Sequence, residues 1–169
     1  MAHVRESLII HAPPSQVAAL YRDYEGWPRL FPATIKGVRL VRSEGSKTEV
    51  EVDHREGKVP NIMTVANPER VDLWEVKRRY NGLFINHFEA APGGTRYTVD
   101  AHIELKGSAK LLGPFLGPYI RRQIKRYILA PMRVAADAGR GPPRSGLFRH
   151  RRWLSVSPNS GALPRSGCG

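Results

Sequence analysis

Residues 12–32 read APPSQVAALYRDYEGWPRLFP, and the rest of the chain can be laid out from this stretch. Pro13 and Pro14 stand ahead of Ser15, a helix-start pattern, and Val17, Leu20, Tyr21 and Tyr24 then recur on one helical face. Gly26 and Pro28 stop that helix, because one loosens the backbone and the other removes a donor. Trp27, Leu30 and Phe31, closed by Pro32, form a compact apolar knot that predicts a second short helix turned against the first.

Upstream, HVRESLIIH at residues 3–11 reads as a strand. Downstream, from Ile35 to Lys106, apolar segments are separated by turn signals at Glu44-Gly45-Ser46, Glu56-Gly57-Lys58, Asn67-Pro68-Glu69, Asn81-Gly82 and Pro92-Gly93-Gly94. In the last segment Thr95, Tyr97, Val99, Ala101, Ile103 and Leu105 alternate with Arg96, Thr98, Asp100, His102, Glu104 and Lys106. Val50, Val52 and His54 alternate in the same way with Glu49, Glu51, Asp53 and Arg55. An antiparallel meander with one dry and one solvated face follows from this pattern.

After Gly107, apolar residues from Leu112 and Phe115 through Leu116, Ile120, Ile124, Ile128, Met132 and Ala135 recur at helical spacing. Gly-Pro steps at 113–114 and 117–118 place the start of this helix at about Pro118, with a kink at Pro131 and an end near residue 138. The predicted fold is α+β, with a strongly curved antiparallel sheet of six or seven strands wrapped around a long C-terminal helix. Two short helices follow the first strand. A bent sheet cannot pack flat on one helix, so a cavity between them is expected.

The 169 residues, 41% of them apolar, suffice for one domain with its own core. That domain is expected over residues 1–138. Residues 139–169 are rich in Gly, Pro, Ser and Arg without periodicity and read as a disordered basic tail. The net charge is +12, but about half the excess lies in that tail, whose RHRRW cluster at 149–153 suits an anionic surface. A nucleic-acid role for the domain is therefore not expected. Cys168 is the only cysteine, so the chain cannot close a disulfide on itself, and a reducing cytosol is the expected setting. The apolar run near the N-terminus is too short for a signal peptide or a membrane span.

The strand, two-helix, meander and final-helix order, the 12–32 segment and the PGGTRYTVDAHIEL strand together resemble the START/Bet v1-like (SRPBCC) helix-grip superfamily. Within it the likeness is to the polyketide cyclase/dehydrase and coenzyme Q-binding lineage, over residues 3–138. The resemblance implies a fold first; members carry lipids, bind quinones and hormones, or shape polyketides. Aromatising cyclases of this kind are understood to use an arginine on a middle strand and a tyrosine soon after the Trp-Pro knot. Here Ala66 and Thr34 stand near those places, which weakens a cyclase assignment.

Strand parity puts His54 on the dry face beside Val52, where it could serve as an acid, a base or a hydrogen-bond anchor. Asn86, between Phe84 and Phe88, would place one amide among aromatic walls, although the opposite parity of Leu83, Ile85 and His87 is also apolar. Phe31, Trp74, Tyr97, Val99 and Tyr127 complete the candidate ligand contacts. No metal site, cofactor motif, nucleophile elbow or paired carboxylate is found. Arg121, Arg122, Lys125 and Arg126 cluster on the final helix and read either as a solvated face or as a dock for anionic lipid headgroups or an acidic protein. The leading reading is a non-catalytic carrier or sequestering protein for a quinone, polyketide or lipid, cytoplasmic or peripheral to the membrane. The alternatives are a polyketide cyclase or dehydratase with His54 and Tyr97 or Tyr127 moving protons, and a partner-binding module built on the basic helix. The oligomeric state is not legible.

Overall fold

A computed structural model of the chain describes residues 1–55, 57–107 and 113–139. Strand β1 (Ala2–Ile10) leads into α1 (Pro14–Arg22), a 3-10 turn at Tyr24–Gly26 and α2 (Trp27–Leu30). Six strands follow: β2 (Ile35–Glu44), β3 (Lys47–His54), β4 (Gly57–Asn67), β5 (Arg70–Val76), β6 (Tyr80–Ala91) and β7 (Gly94–Leu105). The chain then forms α3 (Gly113–Ile124), a π-helical turn at Lys125–Leu129 and α4 (Ala130–Ala138).

The strands make one seven-stranded sheet in the order β1-β7-β6-β5-β4-β3-β2, antiparallel at every step. Because β1 and β2 lie at opposite edges, α1 and α2 carry the chain across the dry face from one edge to the other. Register shifts at Ile35/Gly37, Leu40/Arg42 and Val65/Asn67 mark bulges, the local device that bends a sheet.

The 12–32 segment folds as its pattern predicts. Pro14 begins α1, Asp23 Oδ1 accepts from the Gly26 amide at 3.2 Å, and Trp27 Nε1 donates to the Tyr21 carbonyl at 2.7 Å. The core joins Val17, Ala18, Tyr21 and Trp27 of the short helices to Val50, Val52, Val71, Phe88, Tyr97 and Val99 of the sheet, and to Ile120, Ile124, Leu129, Met132 and Ala136 of the last helix.

Several expectations are corrected. Asn81-Gly82 is not a turn: it lies inside β6, and the reversal occurs just before, where the Lys77 amide donates to the Tyr80 carbonyl at 2.9 Å. Gly82 is there for space, since a Cβ would come within 2.7 Å of the Phe84 ring. The described helix already includes Gly113, so Pro118 sits inside it rather than in its first turn. Pro131 is accommodated by the π turn just before it, where the Ala130 amide reaches back to the Lys125 carbonyl. That turn moves the buried stripe from the expected Ile128 and Ala135 to Leu129 and Ala136. Leu112, the side chain of Phe115 and the 139–169 tail reading, apart from Gly139, lie outside what the structure describes. Among the described residues, no helix is long and apolar enough to cross a membrane.

Candidate functional site

A cavity of about 570 Å³ lies between the concave face of the sheet and the last helix, within the range of about 300–1,000 Å³ usual for small-molecule pockets. Trp27 and Phe31 close it on the α2 side; Val52, Leu73, Phe84, Ile103 and Leu105 form its sheet wall; Leu116, Ile120, Ile124, Tyr127 and Ile128 form its helix wall. Alternate residues of β3, β5 and β7 (Val52 and His54, Leu73 and Glu75, Ile103 and Leu105) line it, so the sequence period of two becomes the wall of the cavity. Tyr119 lines the cavity yet is 60% exposed, and so marks where it meets solvent.

Thr34, Arg55, Asn61 and Gln123 add polar groups to the lining, and a buried ionic cluster gathers around Glu75. Glu75, on the inner parity of β5 and only 6% exposed, accepts a hydrogen bond from the Tyr80 hydroxyl at 2.9 Å. Its other oxygen lies 3.2 Å from Lys77 Nζ and 3.2 Å from His54 Nε2. Burial alone would raise the carboxyl, but His54, Lys77 and Tyr80 together hold it below the ordinary glutamate value, so Glu75 is ionised at neutral pH. His54 Nε2 is buried and close enough to be attracted, but it is not aligned for a hydrogen bond with any protein group. All four side chains line the cavity, as does Asn61, whose amide donates to the Val59 carbonyl at 3.1 Å.

A second polar network lies behind the wall. Tyr97 donates to Asn86 Oδ1 at 2.8 Å, and Asn86 Nδ2 reaches the Tyr21 hydroxyl at 3.0 Å and the Val71 carbonyl at 3.1 Å. Phe88 stacks on Tyr97 with centroids 5.0 Å apart. Burial pushes the Tyr97 hydroxyl well above the usual tyrosine value, assisted by its proximity to Tyr21. Tyr21 is raised too, again chiefly by burial, with the Asn86 bond opposing.

Of the residues singled out from sequence, Phe31, Val52, His54, Phe84 and Tyr127 meet in the cavity. Asn86, Phe88, Tyr97 and Val99 face inward but are packed beneath its wall. Asn86 spends its hydrogen bonds on Tyr97, Tyr21 and backbone, so it is a core organiser rather than a ligand anchor. Tyr97, donating to Asn86, is likewise withdrawn from proton transfer. Trp74 is corrected outright: Val71, Leu73 and Glu75 take the inner parity of β5, which turns Trp74 to the outer face at 38% exposure. Ala66 is exposed, and Thr34 lines the cavity with its hydroxyl donated to the Phe31 carbonyl at 3.3 Å. On the last helix Arg121 and Lys125 do not stand free of the sheet: they pair with Glu6 of β1 at 3.7 and 3.0 Å. Arg122 and Arg126 remain exposed beside them, with Arg126 over the Tyr127 ring.

Glu75, Lys77 and Tyr80 were missed from sequence. The available signal was the row Val71, Leu73, Glu75, Lys77, which carries a charge pair along the dry parity of β5 and just past its end.

A curved antiparallel sheet gripping a terminal helix around an apolar cavity defines the helix-grip class of ligand-binding folds. The profile of the family described as polyketide cyclase / dehydrase and lipid transport matches residues 1–137, and the chain belongs to that family. Similar solved structures include a protein of Thermus thermophilus (19% identity, TM-score 0.66, covering 82% of this chain and 99% of that one). Another is the Zhui aromatase/cyclase of a Streptomyces species (13% identity, TM-score 0.66, covering 86% and 99%). A START superfamily protein of Mycobacterium smegmatis is also similar (15% identity, TM-score 0.61, covering 80% and 97%). At these identities the likeness is one of fold. No curated protein matches the chain.

Proposed function

We propose that this protein binds an apolar small molecule between sheet and final helix, and acts as a carrier or sequestering protein for a quinone, polyketide or lipid. The observation that carries the reading is a cavity with largely aromatic and aliphatic walls and a buried ionic corner, Glu75 with His54, Lys77 and Tyr80. Burial of the ligand's apolar body supplies affinity, at about 25 cal/mol per Å² before the costs of association. The corner supplies orientation: His54 Nε2 and the Lys77 ammonium can meet a carbonyl, hydroxyl or phenol oxygen, and Glu75 can accept a hydroxyl hydrogen.

The exposed cations of α3 and the π turn extend the reading to loading at an anionic membrane. Arg121, Arg122, Lys125 and Arg126 surround a shallow depression on the helix that also bears Tyr119 at the cavity lip.

A cyclase or dehydratase reading is favoured by one contact, the approach of His54 Nε2 to Glu75, since a carboxylate beside an imidazole supports its use as a base. Native mass spectrometry of the purified protein, followed by extraction of whatever co-purifies, tests the first reading. A bound quinone, lipid or polyketide is expected. An empty protein that also fails to take up an apolar fluorescent probe would sink it. Turnover of a captured polyketide, abolished by His54→Ala while binding survives, would replace carrier with enzyme.

A further inference from the structure

On the opposite face of the sheet, His3 of β1 stands directly across from His102 of β7, and Asp100 lies two residues before His102 on the same strand. The period of two therefore puts all three side chains on one outer surface, away from Val99, Ala101 and Ile103, which face the core. Both imidazoles aim Nε2 at the same atom: His3 Nε2 is 2.6 Å and His102 Nε2 3.2 Å from Asp100 Oδ1. The two rings stack with centroids 4.5 Å apart and planes 19° from parallel, and the three ligand atoms all lie within 4.8 Å of one another.

We propose that His3, Asp100 and His102 form a divalent-metal site, fitted best to zinc, on the outer face of the sheet where β1 meets β7. Two imidazole nitrogens and one carboxylate oxygen are a donor set that zinc accepts, with a water in the fourth place. Tetrahedral bonds of about 2.0–2.1 Å put neighbouring ligand atoms about 3.3 Å apart. His102 and Asp100 already stand at that separation, and His3 needs only a small side-chain rotation. In the metal-free form the hydrogen bond between His3 and Asp100 holds the cluster together; the cation takes its place and satisfies all three donors at once. Side-chain exposures of 56% for His3, 17% for Asp100 and 30% for His102 leave a path for the ion and its water. Arg5, opposite Asp100 in the register, is exposed and can swing aside.

The site owes nothing to the cavity and stands whether or not the ligand reading does. Its effect is mechanical: β1 is an edge strand, and an ion shared with β7 fastens it, which stabilises the folded state because the unfolded chain does not hold the three donors together.

The test is calorimetric titration of zinc chloride into the full chain, carrying no histidine tag and stripped with chelator beforehand, with thermal unfolding followed in parallel. One zinc per chain is expected, with a rise in Tm. Asp100→Asn, which keeps size and fold, and His102→Ala should each weaken the binding tenfold or more and abolish the rise, whereas His87→Ala should change neither. Magnesium chloride should give no signal. Absence of zinc binding by the unsubstituted chain overturns the proposal. So does zinc binding left intact in both Asp100→Asn and His102→Ala, which would assign the ion elsewhere, for example to His150 and Cys168.

Discussion

Glu75 carries a charge into the interior, and its neighbours decide how long it keeps that charge as acid is added. His54, Lys77 and Tyr80 hold its folded-state value below that of the unfolded chain. Its contribution to stability is therefore present above the ordinary carboxylate range and is lost as pH falls through the folded value. Urea midpoints should drop as the pH is lowered through and below the ordinary glutamate range, and Glu75→Gln should flatten that part of the profile. Asn86 presents the opposite case, a neutral side chain that satisfies two buried hydroxyls. Asn86→Ala strands Tyr97 and Tyr21 and is expected to cost about 2–3 kcal/mol in urea denaturation. His54 was legible in sequence because it broke an otherwise apolar parity. Glu75 was not, because beside it stands Trp74, whose size invites the opposite assignment of faces. Parity says which side a residue occupies, but not whether it reaches the cavity or stops beneath its wall, and so it could not separate Phe84 from Phe88.

At the scale of the element, the alternating strands and the 12–32 helices were readable because each obeys a local rule. The last helix was not, because its buried stripe steps from Ile124 to Leu129, five residues, across the π turn. A stripe read at 3.6 residues per turn slips there by about one position. Deleting one residue within Lys125–Leu129 should turn the π turn into ordinary α-helix and keep Met132 and Ala136 in the core, whereas inserting one there should rotate α4 by about 100°, carry both out of the core and abolish cooperative thermal unfolding. Glycines before β7 show a second local rule. At Gly94 a Cβ would meet the Ile10 carbonyl oxygen at 2.1 Å, whereas at Gly93 only a positive φ of 84° stands against a side chain. Gly94→Ala should therefore destabilise by roughly 3 kcal/mol or more and Gly93→Ala by about 1 kcal/mol, compared by thermal or urea unfolding.

For the molecule as a whole, charge and cavity are set out on different surfaces. The Arg121 and Lys125 side chains are partly engaged by Glu6, so the free positive field of the helix rests most on Arg122 and Arg126. Replacing both by Gln should weaken co-sedimentation with anionic vesicles several-fold at low salt, with the difference fading above about 0.3 M as charges are screened. The same double change should leave uptake of an apolar probe from solution unaltered, which separates docking from holding. The ionised corner of the cavity has a further consequence, one that concerns solvent. A void lined by hydrocarbon alone stays dry, but a carboxylate and an ammonium cannot sit in a vacuum, so the unfilled cavity must hold water, on the order of ten molecules or more. Loading is then an exchange of one guest for many. A ligand that replaces the hydrogen bonds at Glu75 and His54 while releasing the rest should bind with a large negative heat-capacity change, and its affinity should vary with temperature accordingly.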